Sequence, residues 1–172
     1  LRSRGFETRD TGLRAKERAM FDKILVPLDG SGLAEETLAE VREIARAHGS
    51  QVTLLRVVFA LVFPGADPTE AQIKVTEEAE GYLEKVRKEL EAEGIEAAAA
   101  VRYGFPAEEI LDHLARGDFD LLAMTTHGRT GPARLMMGSV AEKVLRSADV
   151  PVLLFRASEK KARKEAQPAP VA

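Results

Sequence analysis

Three observations predict an α/β fold, an open five-stranded parallel sheet with helices on both faces. Five short apolar runs alternate with helical stretches along the chain. Four of the runs are almost continuously apolar, as strands covered on both faces must be. Three of the helical stretches stop at a glycine just before the next run, and glycine readily takes the left-handed conformation that closes a helix.

The first strand is KILVPL, 23–28. Pro27 near its end is odd in a central strand, because proline cannot donate to the ladder; a ligand wall or a bulge would account for it. The loop Asp29-Gly30-Ser31-Gly32 follows, with Ser31 placed to cap a helix over about 32–48. The second strand is QVTLLRVV, 51–58, and the apolar stretch FALVFPGADP after it either lines a pocket or dimer contact or extends the strand. A helix over about 69–93 carries Ala79, Leu83, Val86 and Leu90 on one stripe, with Glu and Lys elsewhere. The third strand, EAAAAVRY at 96–103, is Ala-rich and has helix propensity. Its flanks, Gly94 before and Gly104-Phe105-Pro106 after, favour a strand. A helix at 106–116 leads to the fourth strand, DLLAMT at 120–125. The last helix, 139–148, leads to the last strand, PVLLF at 151–155.

The 172 residues suit one domain with tails. Residues 1–19 are polar and Arg-rich, and Met20 directly precedes the first core run, so Met20 is the expected natural start. The alternative is a basic arm. The folded unit is expected over 20–157, with a charged, then Pro/Ala-rich, disordered tail over 158–172. A net charge of −3 gives no reason to expect nucleic acid as a partner. No apolar run reaches membrane-spanning length, and no signal-peptide core is present. The absence of cysteine excludes disulfides and thiolate chemistry. Cytoplasmic residence is the expectation.

In a doubly wound sheet, ligands bind beyond the carboxyl ends of the strands where the winding reverses. With strand order 3-2-1-4-5, that crevice lies between strands 1 and 4. The two loops richest in glycine and hydroxyls meet there: Asp29–Gly32, and the segment THGRTGPARLMMGSVAE from Thr126 to Glu142. Gly128 and Gly138 permit close backbone approach. Gly138, Ser139 and Val140 stand at a helix start, where free amides and the helix dipole favour an anion. Arg129 adds charge at the loop entrance. Ser139-Val140-Ala141-Glu142 also matches a capping box, so Ser139 has a purely structural alternative. Asp29 has two functional readings, ribose hydroxyls or a divalent cation beside phosphates, and one local reading, a turn bonded to its own backbone. The loop is neither a Walker A sequence nor a dinucleotide-binding glycine turn. The three histidines, His48, His113 and His127, form no constellation; His127 is placed to orient the loop.

The motifs F-D-K-I-L-V-P-L-D-G-S, Y-G-F-P, T-H-G-R-T-G-P-A-R-L-M-M-G-S-V-A-E-K-V and D-V-P-V-L-L-F, in that order, resemble the universal stress protein family over about 21–156. The nucleotide-binding branch carries G-x-x-G, nine residues, then G-S or G-T. Gly128, the nine residues after it and Gly138-Ser139 match, while Thr125 replaces the first glycine. The resemblance implies the 3-2-1-4-5 sheet, a dimer, and an ATP or AMP site in the crevice, with Mg2+ or Mn2+ accompanying the nucleotide. Asp29 then corresponds to the ribose-side carboxylate. Pro27, Val57 and Met124 correspond to adenine-pocket walls, and Gly128, Gly138, Ser139 and Val140 to the phosphate shell. Thr125 either crowds the ribose or phosphates or exchanges a backbone contact for a hydroxyl contact.

The leading expectation is a stress-response binding module holding an adenine nucleotide. No group is an evident base for activating water, so hydrolysis is expected to be weak at most. The alternatives are a slow ATPase or phosphotransferase using His127 or Asp29 with a cation, and a nucleotide-free dimeric scaffold. The last strand lies at a sheet edge, and edges invite pairing. Two chains are expected to join there antiparallel, with Val152 and Leu154 near the twofold axis.

Overall fold

The hydrophobic strands order the molecule. In the computed structural model, which describes residues 21–59, 67–126 and 137–156, nine elements follow one another. They are β1 (Lys23–Pro27), α1 (Gly32–His48), β2 (Gln51–Val58), α2 (Pro68–Ala92), β3 (Ala97–Tyr103), α3 (Pro106–Arg116), β4 (Leu121–Thr125), α4 (Ser139–Ser147) and β5 (Val152–Phe155). The strands form one parallel sheet in the order β3-β2-β1-β4-β5. The Ala-rich segment is indeed a strand: Ala97 to Tyr103 pair residue by residue with Val52 to Val58. Tertiary pairing overrides its helix propensity.

Alternation along the strands sends successive side chains to opposite faces. On one face Ile24, Val26, Val52, Leu54, Leu121 and Ala123 pack under α1 and α2. On the other, Leu25, Leu55, Leu122 and Met124 pack under α3 and α4. The stripe on α2 is buried as its spacing predicts: Ala79, Leu83 and Leu90 are fully inaccessible and Val86 nearly so. Each such leucine stabilises the fold by about 2 kcal/mol.

Two of the three helix-ending glycines behave as predicted. Gly49 caps α1 at φ 68°, and Gly94 follows α2 at φ 80°. Gly117 does not: it closes α3 with extended backbone, φ −99° and ψ 159°. Its small size matters for a different reason. A Cβ there would lie 2.2 Å from the Phe119 ring, so glycine is required by close packing. One fastening is invisible in the sequence. The Asp120 carboxylate accepts from the backbone N–H groups of Asp22, at 2.9 Å, and Lys23, at 3.1 Å, tying the entrance of β1 to that of β4.

Candidate functional site

The opening in the sheet begins where β1 and β4 part. Their ladder holds only Ile24↔Leu121 and Leu25↔Leu122, whereas β1 stays paired with β2 up to Pro27↔Leu55. This accounts for Pro27. Along a parallel strand the peptide groups of successive residues point alternately to the two neighbours. The carbonyl of Asp22 and the amide of Leu28 both engage β2, so the odd-numbered residues of β1 face β4. The missing donor of Pro27 therefore falls on the β4 side, at the first β4-facing position beyond the last β1–β4 pair.

Pro27, Val57 and Met124 share one face of the sheet, the face of α3 and α4, by the alternation that puts Leu25 and Leu55 there. Met124 is buried and Val57 partly so. Together they make an apolar wall at the carboxyl ends of three strands. Thr125 alternates with Met124, keeps the parity of Leu121 and Ala123, and pairs with Phe155. Its side chain thus leaves by the opposite face, that of α1 and α2.

Asp29 lies just past β1. Its Oδ1 accepts from the Ser31 amide at 3.0 Å and from the Ser31 hydroxyl at 2.6 Å. Ser31 in turn accepts from the Ala34 amide at 3.2 Å and caps α1. The local turn role of Asp29 is therefore realised. Among the described residues no group of three or more His, Asp or Glu side chains is placed to hold a metal. A divalent cation beside Asp29 would have to draw most of its ligands from elsewhere, such as phosphate oxygens.

The far side of the crevice is the start of α4. The Gly138 amide donates to the Thr126 carbonyl at 2.8 Å, which ties the start of α4 to the end of β4. This corrects one expectation: the Gly138 amide is committed within the protein, and the helix start offers the amides of Ser139 and Val140. Among the described residues none accepts from those two. The capping-box reading is corrected as well. Gly138 is the N-cap, Ser139 is the first helical residue, and no side chain caps the helix. Glu142 is thereby one position too late to reach back, and its carboxylate instead takes Arg146, at 2.8 Å. The exposed Ser139 hydroxyl is not used as a cap. Gly128, Arg129 and His127 lie outside the described residues.

Arg56 was not singled out by its sequence position. It stands in the middle of an apolar strand, and that lone charge was the available signal. Its guanidinium lies 5.0 Å from the Tyr82 ring centroid, a cation–π contact. It also abuts Gly30, where a Cβ would come within 2.2 Å of Nη1. A fixed cation thus backs the Asp29–Gly30 turn.

These features first define a class: a doubly wound α/β protein with a helix N-terminus opening at its switch point. A model of the universal stress protein family matches residues 20–156. Universal stress protein MJ0531 of Methanocaldococcus jannaschii is 33% identical over 146 residues, 82% of this chain and 85% of that protein. MJ0577 of the same organism is 31% identical over 155 residues, 80% of this chain and 96% of that one. The solved structure of MJ0577 aligns with a TM-score of 0.72 at 30% identity, covering 82% of this chain and 99% of its own. More distant solved structures share the fold. One is a universal stress protein in complex with cAMP, with TM-score 0.61 and 20% identity over 81% of this chain and all of that one. Another is the Archaeoglobus fulgidus protein in complex with dAMP, with TM-score 0.56 and 22% identity over 78% and 98%. The chain belongs to the universal stress protein family.

Proposed function

We propose that this protein binds an adenine nucleotide, AMP or ATP, in the crevice between β1 and β4 and acts as a dimeric regulatory module in the stress response. The observation that carries the reading is the early end of the β1–β4 ladder, with an apolar wall on one side and the open first turn of α4 on the other. The adenine ring would rest on Pro27, Val57 and Met124. Asp29 would accept from ribose hydroxyls. The amides of Ser139 and Val140 and the Ser139 hydroxyl would hold phosphate, with Gly128 and Arg129 of the adjoining loop completing the shell. Mg2+ or Mn2+ would enter with the phosphates of ATP and touch Asp29. The cAMP and dAMP complexes of distant relatives show that proteins of this fold accept adenine nucleotides; the assignment to this chain rests on its own residues. The course of the Thr125 side chain, toward the face of the sheet opposite the apolar wall, supports the reading.

Calorimetric titration with AMP and with ATP plus magnesium tests the site. Ser139→Ala should weaken binding about tenfold or more, the worth of a hydrogen bond to a charged group. Heat and thermal stabilisation both absent at millimolar nucleotide would leave the scaffold function instead. Steady phosphate release abolished by Asp29→Ala, with binding intact, would favour the ATPase.

A further inference from the structure

The sheet has two edges, and the one formed by β3 is unusual. Natural edge strands are blunted by charges, prolines, bulges or brevity. β3 runs seven residues, AAAAVRY, with no charge or proline before Arg102. Arg102 itself is drawn onto α3, where it meets Asp112 at 2.8 Å and Glu109 at 3.5 Å. The carbonyl of Glu96 and the amide of Gly104 engage β2, so the even-numbered residues of β3 face inward. The peptide groups of Ala97, Ala99, Val101 and Tyr103 consequently face outward, along an edge that no other strand among the described residues pairs with.

Beside that edge lies a groove of about 570 Å³ between α2 and β3. Its floor is Ala99 and Val101, its wall includes Gly81, and its rim carries Glu77, Glu80 and Glu84. A Cβ on Gly81 would meet nothing within 4 Å, so the wall stands back from the floor. Glu84 is paired with Arg87 and Lys88. Among the described residues no cation is paired with Glu77 or Glu80. The groove thus combines unpaired backbone, room for side chains of alternate residues and uncompensated negative charge. A second copy of β3 would bring the same glutamates together and is disfavoured electrostatically.

We propose that the β3 edge is a strand-addition site for an extended basic segment of a partner protein. The segment pairs with the outward peptide groups of β3 and directs lysine or arginine side chains, at every second position, to Glu77 and Glu80. The site is separate from the nucleotide crevice and does not depend on it.

The probe is a fluorescein-labelled, end-capped heptapeptide alternating lysine with threonine, titrated against the full chain by anisotropy at low salt. Saturable binding is expected, weakened at least tenfold in E77Q/E80Q and lost in A99P. Ala99→Pro removes an outward donor and leaves the ladder to β2 intact; circular dichroism checks that the variant folds. Should it not fold, the same heptapeptide N-methylated at alternate residues asks the same question of the wild-type chain, and loss of binding is expected. No saturable binding up to millimolar peptide, or equal binding by wild type and A99P, overturns the proposal. So does self-association that Ala99→Pro abolishes, which would assign the edge to a second copy. Binding seen only after residues 1–20 are deleted would give the groove to the chain's own basic segment and overturn it equally.

Discussion

Gly30 and Arg56 show how much of the site depends on single residues. Gly30 holds φ at 79°, in the left-handed region, with the guanidinium of Arg56 in the space a Cβ would need. An alanine there pays the left-handed penalty of about 1 kcal/mol and must also push Arg56 off Tyr82. Gly30→Ala should therefore lower stability by about 1–3 kcal/mol in urea unfolding, and it should weaken AMP binding by disturbing the Asp29 turn. Unchanged stability would mean that Arg56 moves freely and backs nothing. Pro27 teaches the complementary lesson. It contradicts a central-strand assignment locally, and that contradiction turned out to mark the place where β4 departs.

At the scale of elements, α3 provides a test by pH. His113 lies tilted against Phe119, with ring centroids 5.6 Å apart and ring planes at 32°. Burial, then the nearby charge of Arg102, pushes its pKa below the usual histidine value, against an opposing pull from Asp112. The folded chain thus resists protonating His113, while the unfolded chain takes the proton near pH 6.5. Stability associated with His113 is present above that pH and is lost as pH falls toward the folded value. Two carboxylates of the same helix are held below their ordinary range. Asp112 is held down by Arg116 and then Arg102, and Glu108 by its ion pair with Lys143 on α4. Of these three groups, His113 is therefore the one whose protonation matters between pH 7.5 and 5.5. His113→Phe keeps an aromatic ring and abolishes the titration, so its Tm should fall less than the wild type's over that interval. Parallel curves for the two proteins would remove His113 from the account.

For the whole molecule, the sheet leaves two edges, β3 and β5, and their chemistry differs. β5 is a four-residue apolar strand, VLLF, with every residue partly buried. The proposed dimer joins two β5 strands antiparallel, placing Val152 and Leu154 near the twofold axis. Leu154→Lys brings two like charges together there and should yield monomers by light scattering at concentrations where the wild type is dimeric. A dimer that survives Leu154→Lys would point to another face of the molecule. Among the described residues no helix is long and apolar enough to cross a membrane.

Local pattern determined the elements. Strand runs, the α2 stripe and the glycine breaks were legible because hydrophobic period and turn chemistry act within a few residues. So was the reversal of winding between β1 and β4, once the strand order was in hand. Only the tertiary structure decided what depends on distant partners. The Asp120 latch spans 97 and 98 residues of sequence, the Gly138 amide is taken by Thr126, and Glu142 turns to Arg146 because the helix starts one residue late. Gly117 is glycine for the sake of Phe119, and Arg56 finds Gly30 across a strand and a loop. A hydrogen-bonding group has several possible partners in sequence, and it is the three-dimensional packing that leaves it one.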